Sequence, residues 1–234
     1  MLRLSILAVL LAASASAQTY FGHLADGDGR LNSGEFSDEY TVRAEAGEVI
    51  RAVVTSQAFD TYVILKTSAG QQAEDDDCTD GETSRSCAEL VVEEAGEVRV
   101  LVTSFRPGET GAYDVAITAA SAPGAPARPV TVTALALADG DGRLQTGELY
   151  DEAVVRMARG ERRRIAMRSD AFAPYLIVTG PGDARIESSD CADADGACLV
   201  LEADEPGEWR VVATSVRAGE RGAYTMDLDA PITQ

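Results

Sequence analysis

The sequence predicts an all-β protein made of two tandem antiparallel β-sandwich domains. The first observation is a long repeat: residues 24–66 align with residues 137–179, with 22 identities in 43 aligned positions. A repeat with an offset of about 113 residues is a duplicated domain, because solenoid units repeat every ~20–50 residues. The second observation is that both copies consist of short apolar or alternating runs separated by glycine-centred turns. Such runs are typical of strands in a sandwich.

The strand signals are clearest in the first copy. Residues 49–54 alternate with a period of two, which is typical of a half-buried strand. Residues 62–65 and 98–102 are continuous apolar runs of the length of a buried strand. Four turns separate these segments: Ala46-Gly47-Glu48, Ser68-Ala69-Gly70, Ala95-Gly96-Glu97 and Pro107-Gly108-Glu109.

The chain divides into four predicted segments. Residues 1–17 have a basic residue (Arg3), an apolar core and a small-residue cleavage site, as a secretory signal peptide has. Residues 18–118 form the first sandwich, 119–133 a linker rich in proline and alanine, and 134–234 the second sandwich. Each copy contains a full set of strands, so each is expected to fold alone. These signals predict an exported protein, periplasmic or extracellular, without a membrane span.

The charge of the chain excludes some partners. The formal net charge is −19, so nucleic acid and anionic lipid should be repelled and a monomer is expected.

The four cysteines occupy equivalent positions in the two copies. Cys78 aligns with Cys191, and Cys87 aligns with Cys198. One pair in each domain of an exported chain predicts the disulfides Cys78–Cys87 and Cys191–Cys198. A zinc site is the alternative, but the spacing is not that of a CxxC motif and no histidine is nearby.

The order of the motifs resembles a known family. The segment Ser56-Gln57-Ala58-Phe59-Asp60-Thr61-Tyr62-Val63 is followed by Gly70, Asp75-Asp76-Asp77, Gly96-Glu97-Val98 and Gly111-Ala112-Tyr113. This order is similar to the bacterial pre-peptidase C-terminal (PPC) domain, and it covers about 100 residues in each copy. The resemblance implies a jelly-roll-like β-sandwich of the kind appended to secreted peptidases, with collagen-binding members. The second copy departs from the pattern where Ala173 replaces Asp60.

The residues indicate no catalytic constellation. His23 is the single histidine of the chain, and Ala136 replaces it in the second copy. A Ser-His-Asp or Cys-His site needs a histidine beside its nucleophile, so a non-catalytic protein is predicted. Hydrolysis by a pair of carboxylates is the remaining enzymatic alternative.

Two acidic groups are candidates for calcium binding. The first group lies in the Asp-Gly-Asp-Gly loops of both copies and comprises Asp26, Asp28, Glu35, Asp139, Asp141 and Glu148. Leu24 and Leu137 stand where an EF-hand needs its first aspartate, so solvated turns are the alternative. The second group comprises Asp60, Asp76 and Asp77, for which a solvated loop is again the alternative.

One basic feature and one aromatic residue complete the candidates. The period of a strand places Arg162, Arg164 and Arg168 on one face, opposite Ile165 and Met167. This face is either an anion-binding patch or a solvated surface. Trp209, the single tryptophan, is expected in the core.

The sequence therefore predicts an exported binding or interaction protein whose ligand is an extracellular or envelope polymer or protein. An accessory or chaperone-like partner of a separately encoded secreted peptidase is the alternative. A peptidase gene beside this one would favour that alternative.

Overall fold

The computed structural model describes residues 18–230 except residues 80, 126, 131 and 193–195. The predicted signal peptide lies outside the described residues. The first repeat forms nine strands: β1 Gln18–Leu24, β2 Gly29–Arg30, β3 Phe36–Ala44, β4 Val49–Ser56, β5 Thr61–Thr67, β6 Gln72–Asp75, β7 Arg85–Val91, β8 Gly96–Ser104 and β9 Gly111–Ala120. The second repeat matches them one for one: β11 Val132–Leu137, β12 Gly142–Arg143, β13 Leu149–Met157, β14 Arg162–Arg168, β15 Pro174–Thr179, β16 Arg185–Ser188, β17 Ala197–Glu202, β18 Gly207–Ser215 and β19 Gly222–Ala230.

The strands arise from the alternation seen in the sequence. In β9, Tyr113, Val115, Ile117 and Ala119 are buried, and the residues between them are more exposed. Successive side chains of a strand point to opposite faces, so one face of β9 enters the core. Gly47 in the turn before β4 has φ 88°, a conformation that favours glycine over L side chains.

Two antiparallel sheets pack face to face. The first sheet has the order β16-β15-β18-β13-β1-β9-β4-β7, and the second has the order β17-β14-β19-β11-β3-β8-β5-β6. One hydrophobic cluster between the sheets includes residues of both repeats. The predicted all-β sandwich class is confirmed.

The repeats are joined edge to edge through both sheets. Strand β1 of the first repeat pairs with β13 of the second, where Tyr20 lies opposite Ala153. The counterpart of β1 in the second repeat is β11, and the counterpart of β13 in the first repeat is β3. These two strands also pair, with Val132 of β11 opposite Val42 of β3. The two junctions are therefore related by an approximate two-fold axis. Each repeat contributes half of each sheet. The sequence indicated two separate sandwiches and did not indicate that the repeats would share their sheets.

The segment between the repeats also contains strands. Within the predicted linker 119–133, residues 119 and 120 end β9, and the short strand β10 (Ala127–Pro129) pairs back on β9. Strand β11 then begins at Val132. Much of this segment is thus hydrogen-bonded sheet.

Both predicted disulfides are confirmed. Cys78 is bonded to Cys87 and Cys191 to Cys198. Each closes the connection between the outermost strands of its repeat, β6 to β7 and β16 to β17. Disulfides are typical of an oxidising environment, as exported proteins encounter. No helix in the described part of the chain is long and apolar enough to cross a membrane.

Candidate functional site

The second repeat has an open groove on the outer face of the first sheet, with a volume of about 630 Å³. We call it the repeat-2 groove. Tyr175 and Ile177 of β15 and Val212 of β18 form its floor, and Arg185 and Glu187 of β16 form one wall. The floor residues point outward because Leu176 and Val178, which alternate with them, are buried in the core.

The first repeat has an equivalent groove of about 260 Å³, the repeat-1 groove. It lies on the outer face of the second sheet, because its strands β5, β6 and β8 belong to that sheet. The two grooves therefore open on opposite faces of the sandwich. The following pairs occupy equivalent places in the two grooves: Leu31 and Leu144, Ser33 and Thr146, Glu35 and Glu148, Tyr62 and Tyr175, Ile64 and Ile177, Glu74 and Glu187, Thr103 and Thr214, Ser104 and Ser215, Phe105 and Val216.

A short loop forms the other wall of each groove. In the first repeat, the Gly34 N–H donates to Leu31 O at 3.0 Å, and the Ser33 hydroxyl donates to the Glu35 carboxylate at 2.5 Å. In the second repeat, the Gly147 N–H donates to Leu144 O at 2.9 Å, and the Thr146 hydroxyl bonds Glu148. The same local sequence thus builds the same wall twice.

The rim of each groove exposes an apolar side chain at the same position. Phe105 is 47% exposed, and its counterpart Val216 is 48% exposed. The rings of Phe105 and Tyr62 lie 6.4 Å apart between centroids. Exposed apolar groups beside a groove mark interaction surfaces when they form a patch with polar neighbours.

Charged groups line the repeat-2 groove more densely. The Tyr175 hydroxyl donates to the Glu187 carboxylate, and Arg185 Nε lies 2.5 Å from the same carboxylate. These two hydrogen bonds lower the pKa of Glu187. The repeat-2 groove therefore adds Arg185 to its tyrosine–glutamate pair, whereas the repeat-1 groove has an aromatic rim residue, Phe105.

A second cavity, the seam cavity, lies where the repeats meet and has a volume of about 460 Å³. Four aspartates line it, two from each repeat: Asp28, Asp38, Asp141 and Asp151. Tyr113 donates a hydrogen bond to Asp38 at 2.6 Å, and the Tyr40 and Tyr113 hydroxyls are 2.8 Å apart.

Burial and mutual repulsion perturb these acids. Burial raises the pKa of Asp38 to about 7, and the charges of Asp28 and Asp141 add to the rise. Burial likewise raises the pKa of Asp141 to about 6. The hydrogen bond that its carboxylate accepts from the Ala138 N–H acts in the other direction and lowers the pKa. The pKa of Asp151 is raised well above its usual value, first by burial and then by the charge of Asp141.

Sequence reasoning missed the seam acids Asp38 and Asp151. Both precede a glutamate in the first long strand of their repeat, and both have a repeated tyrosine as partner, Tyr113 or Tyr224. The hydrogen bonds of these tyrosines connect them to the acids of the seam. The signal that could have found the site is the pairing of a repeated acid with a repeated tyrosine.

Each predicted calcium ligand of the first group makes its own local contact, and the structure brings Asp28 and Asp141 together at the seam cavity. Asp26 forms an ion pair with Arg30 at 3.0 Å, and Asp139 forms one with Arg221 at 2.6 Å. Asp28 accepts a hydrogen bond from the Ala25 N–H at 2.5 Å. Asp141 accepts one from the Ala138 N–H, and Glu35 and Glu148 accept hydrogen bonds from Ser33 and Thr146.

The second acidic group lies elsewhere. Asp60, Asp76 and Asp77 are half-buried, and burial raises the pKa of Asp60. Among the residues that the structure describes, no three His, Cys, Asp or Glu side chains are placed to hold a metal ion. Calcium binding stays a prediction without a site in that part of the chain.

The arginine face is only partly exposed. Arg162 pairs with Glu202 at 3.5 Å and Arg168 is exposed, but Arg164 is buried against the disulfide of its repeat. The three guanidinium groups therefore do not form one open anion-binding patch. Trp209 is buried in the core, as expected, and His23 is exposed on β1.

No family model and no curated protein matches the chain, so membership in the PPC family stays a prediction. The chain has a remote likeness to solved structures of Bacillus subtilis oxalate decarboxylase. One, from a study of its Mn(II) centres, has a TM-score of 0.17 and 9% identity over 94% of this chain and 78% of that chain. A variant of the same enzyme has a TM-score of 0.16 and 7% identity over 92% and 78%. Likenesses at such scores carry no argument about fold or function.

Proposed function

We propose that this is an exported, non-catalytic binding protein that engages an extracellular or envelope polymer or protein through its two equivalent grooves. Residues 1–17 would direct its export, and each repeat would be a PPC-like module. The single observation that carries the proposal is the recurrence of the groove. Nine lining positions correspond between the two grooves, which lie on different sheets. The two grooves share their tyrosine, isoleucine and glutamate, although 21 of the 43 aligned positions at residues 24–66 differ between the repeats.

The chemistry of the grooves favours an extended ligand. Each groove combines a tyrosine, an isoleucine and a glutamate with an exposed apolar rim residue, Phe105 or Val216. Amphipathic linings of this kind bind through apolar contact and orient the ligand through a few polar groups. Because the grooves face opposite ways, one molecule would hold two ligand chains. Bivalent binding of a ligand-coated surface then increases avidity without a new contact.

Pull-down with immobilised collagen, peptidoglycan sacculi and an acidic polysaccharide tests the proposal. The first variant carries Tyr62→Ser and Phe105→Ser, and the second carries Tyr175→Ser and Val216→Ser. Each double variant should weaken retention on the probe that binds, and the combination should abolish it. Val200→Ser is the matched control, because Val200 is 42% exposed but lies outside both grooves. Unchanged retention of the combined variant would refute the groove as the binding surface.

A carboxylate-dependent hydrolase is a second candidate, favoured by the seam cavity. A carboxyl with a pKa of about 7 in a cleft, as Asp38 has, is suited to act as a general acid. This candidate predicts glycosidase activity on polysaccharide that Asp38→Asn abolishes while binding through the grooves persists.

A further inference from the structure

The two disulfides contact different charged side chains, Arg164 in the second repeat and Asp75 in the first. In the second repeat, Arg164 Nη2 lies 3.1 Å from Cys191 Sγ and 3.4 Å from Cys198 Sγ. The register explains this contact: Ala166 lies opposite Cys198, so the disulfide covers the outer face of β14, where Arg164 lies two residues away. A buried guanidinium therefore contacts both sulfur atoms.

At the disulfide of the first repeat, the Asp75 carboxylate contacts the backbone of both cysteines. Asp75 Oδ1 accepts hydrogen bonds from the backbone N–H groups of Cys78 and Cys87, at 2.7 and 2.9 Å. Ser188 replaces Asp75 in the second repeat. The counterpart of Arg164 in the first repeat, Arg51, is exposed on β4. The duplicated domains have thus diverged at their disulfides.

We propose that Cys191–Cys198 is a reducible disulfide that undergoes thiol–disulfide exchange with a dithiol reductant, whereas Cys78–Cys87 is a permanent structural bond. A positive charge beside a cysteine favours the thiolate, and a lower pKa makes that thiol a better leaving group. Stabilising the reduced form also makes a disulfide more oxidising. Arg164 supplies this charge at Cys191 and Cys198, and Asp75 disfavours a thiolate at Cys78 and Cys87.

The exchange balances in two steps. A thiolate of the reductant attacks Cys198, the more exposed cysteine, forming a mixed disulfide and releasing the Cys191 thiolate against Arg164. The second thiol of the reductant then attacks the reductant sulfur that is bonded to Cys198, which closes the reductant disulfide and releases the Cys198 thiolate. The reductant dithiol becomes a disulfide, and two electrons and two protons pass to the protein, which gains two thiols.

Reduction would affect a neighbouring groove. Cys191 follows β16, whose Arg185 and Glu187 form a wall of the repeat-2 groove. Loss of the disulfide frees the connection between β16 and the edge strand β17, so the wall loosens. This consequence depends on the proposed function of the groove, but the exchange reaction does not.

Equilibration of the oxidised full chain with dithiothreitol redox buffers tests the proposal. After acid quenching and alkylation, peptide mass spectrometry measures the reduced fraction of each disulfide. The exchange equilibrium constant of Cys191–Cys198 should exceed that of Cys78–Cys87 at least tenfold, which corresponds to about 30 mV. Equal constants, or the reverse order, would overturn the proposal.

Two variants assign the difference to the charges. Arg164→Gln should lower the equilibrium constant of Cys191–Cys198 at least threefold, and Arg162→Gln, on the same strand but paired with Glu202, should leave it unchanged. Because Arg164→Gln could impair folding, Asp75→Asn provides the reciprocal test and should raise the constant of Cys78–Cys87. An unchanged constant in both Arg164→Gln and Asp75→Asn would refute the electrostatic cause.

Binding measurements separate this proposal from the proposed function. Retention of the oxidised and the reduced protein on collagen, peptidoglycan or polysaccharide shows whether the grooves bind. If the protein binds none of the probes but Cys191–Cys198 is still reduced more readily than Cys78–Cys87, the groove function alone is refuted. Binding without a difference between the two disulfides refutes the redox proposal alone.

Discussion

Tyr113 donates a 2.6 Å hydrogen bond to Asp38, an acid that lines the seam cavity. Burial and the charges of neighbouring aspartates raise the pKa of Asp38. The second repeat forms the same bond between Tyr224 and Asp151, also at 2.6 Å. Four acids thus meet where the two repeats join, and in the part of the chain that the structure describes two of them, Asp38 and Asp151, accept a hydrogen bond from a tyrosine. Their ionisation should control how firmly the repeats are held together.

The free energy of unfolding should fall as the pH rises from about 4 to about 7. The pKa of Asp38 is about 7 and that of Asp141 about 6 in the folded chain, and both are near 4 when unfolded. The folded state therefore binds more protons in this range, which lowers its relative stability with increasing pH. Thermal melts followed by circular dichroism between pH 4 and 8 measure the trend. A melting temperature that rises steadily across this range would contradict it.

Asp38→Asn should stabilise the protein at pH 8 by about 1–2 kcal/mol and have little effect at pH 4. The amide removes the buried charge and its repulsion from Asp28 and Asp141, and its oxygen still accepts the Tyr113 hydrogen bond. Urea unfolding at both pH values measures the difference. Glu39→Gln is the control: Glu39 is exposed and paired with Arg99 at 3.5 Å, so a change of less than about 0.5 kcal/mol is expected. Destabilisation of Asp38→Asn at pH 8 would mean that the charge is favourable.

An isolated second repeat, residues 132–230, should self-associate. Without the first repeat, β11 and β13 lose their partners β3 and β1 and become open edges, which readily pair with another chain. Pairing of β11 in one copy with β13 in another would restore both junctions. Sedimentation analysis should show a dimer, with larger species at high concentration. A monomer with a sharp thermal transition would instead support the independent folding expected from the sequence.

Trp209→Phe should change the free energy of unfolding by less than about 1 kcal/mol, whereas Trp209→Ala should lower it by about 3–5 kcal/mol. Trp209 Nε1 is buried and has no hydrogen-bond partner among the described residues. Removing an unsatisfied buried donor offsets part of the lost packing, because such a group costs about 1–3 kcal/mol. Urea unfolding of the two variants measures the contrast. Equal losses would show that the indole N–H has a partner.

The sequence predicted the strands and the disulfides because both are local signals. Alternation identified β4, and the repeated positions of Cys78 and Cys87 identified the bonded pairs. The seam could not be predicted, since alternation does not indicate which strand lies beside an edge: nothing in Tyr20 or Ala153 reveals that they are neighbours. The burial of Arg164 was missed for the same reason, because strand period assigns a face but not what covers it.

The crossed junctions have the geometry of a two-fold homodimer whose subunits are joined in one chain. In such an ancestor, both subunits would have the same sequence. A substitution at the axis would therefore change both sides of the interface at once. Fusion removes that constraint, because each copy then accepts substitutions alone. Asp75 and Ser188 occupy equivalent positions and differ. A fused dimer can therefore retain a symmetric seam while its two outer ends acquire different chemistry.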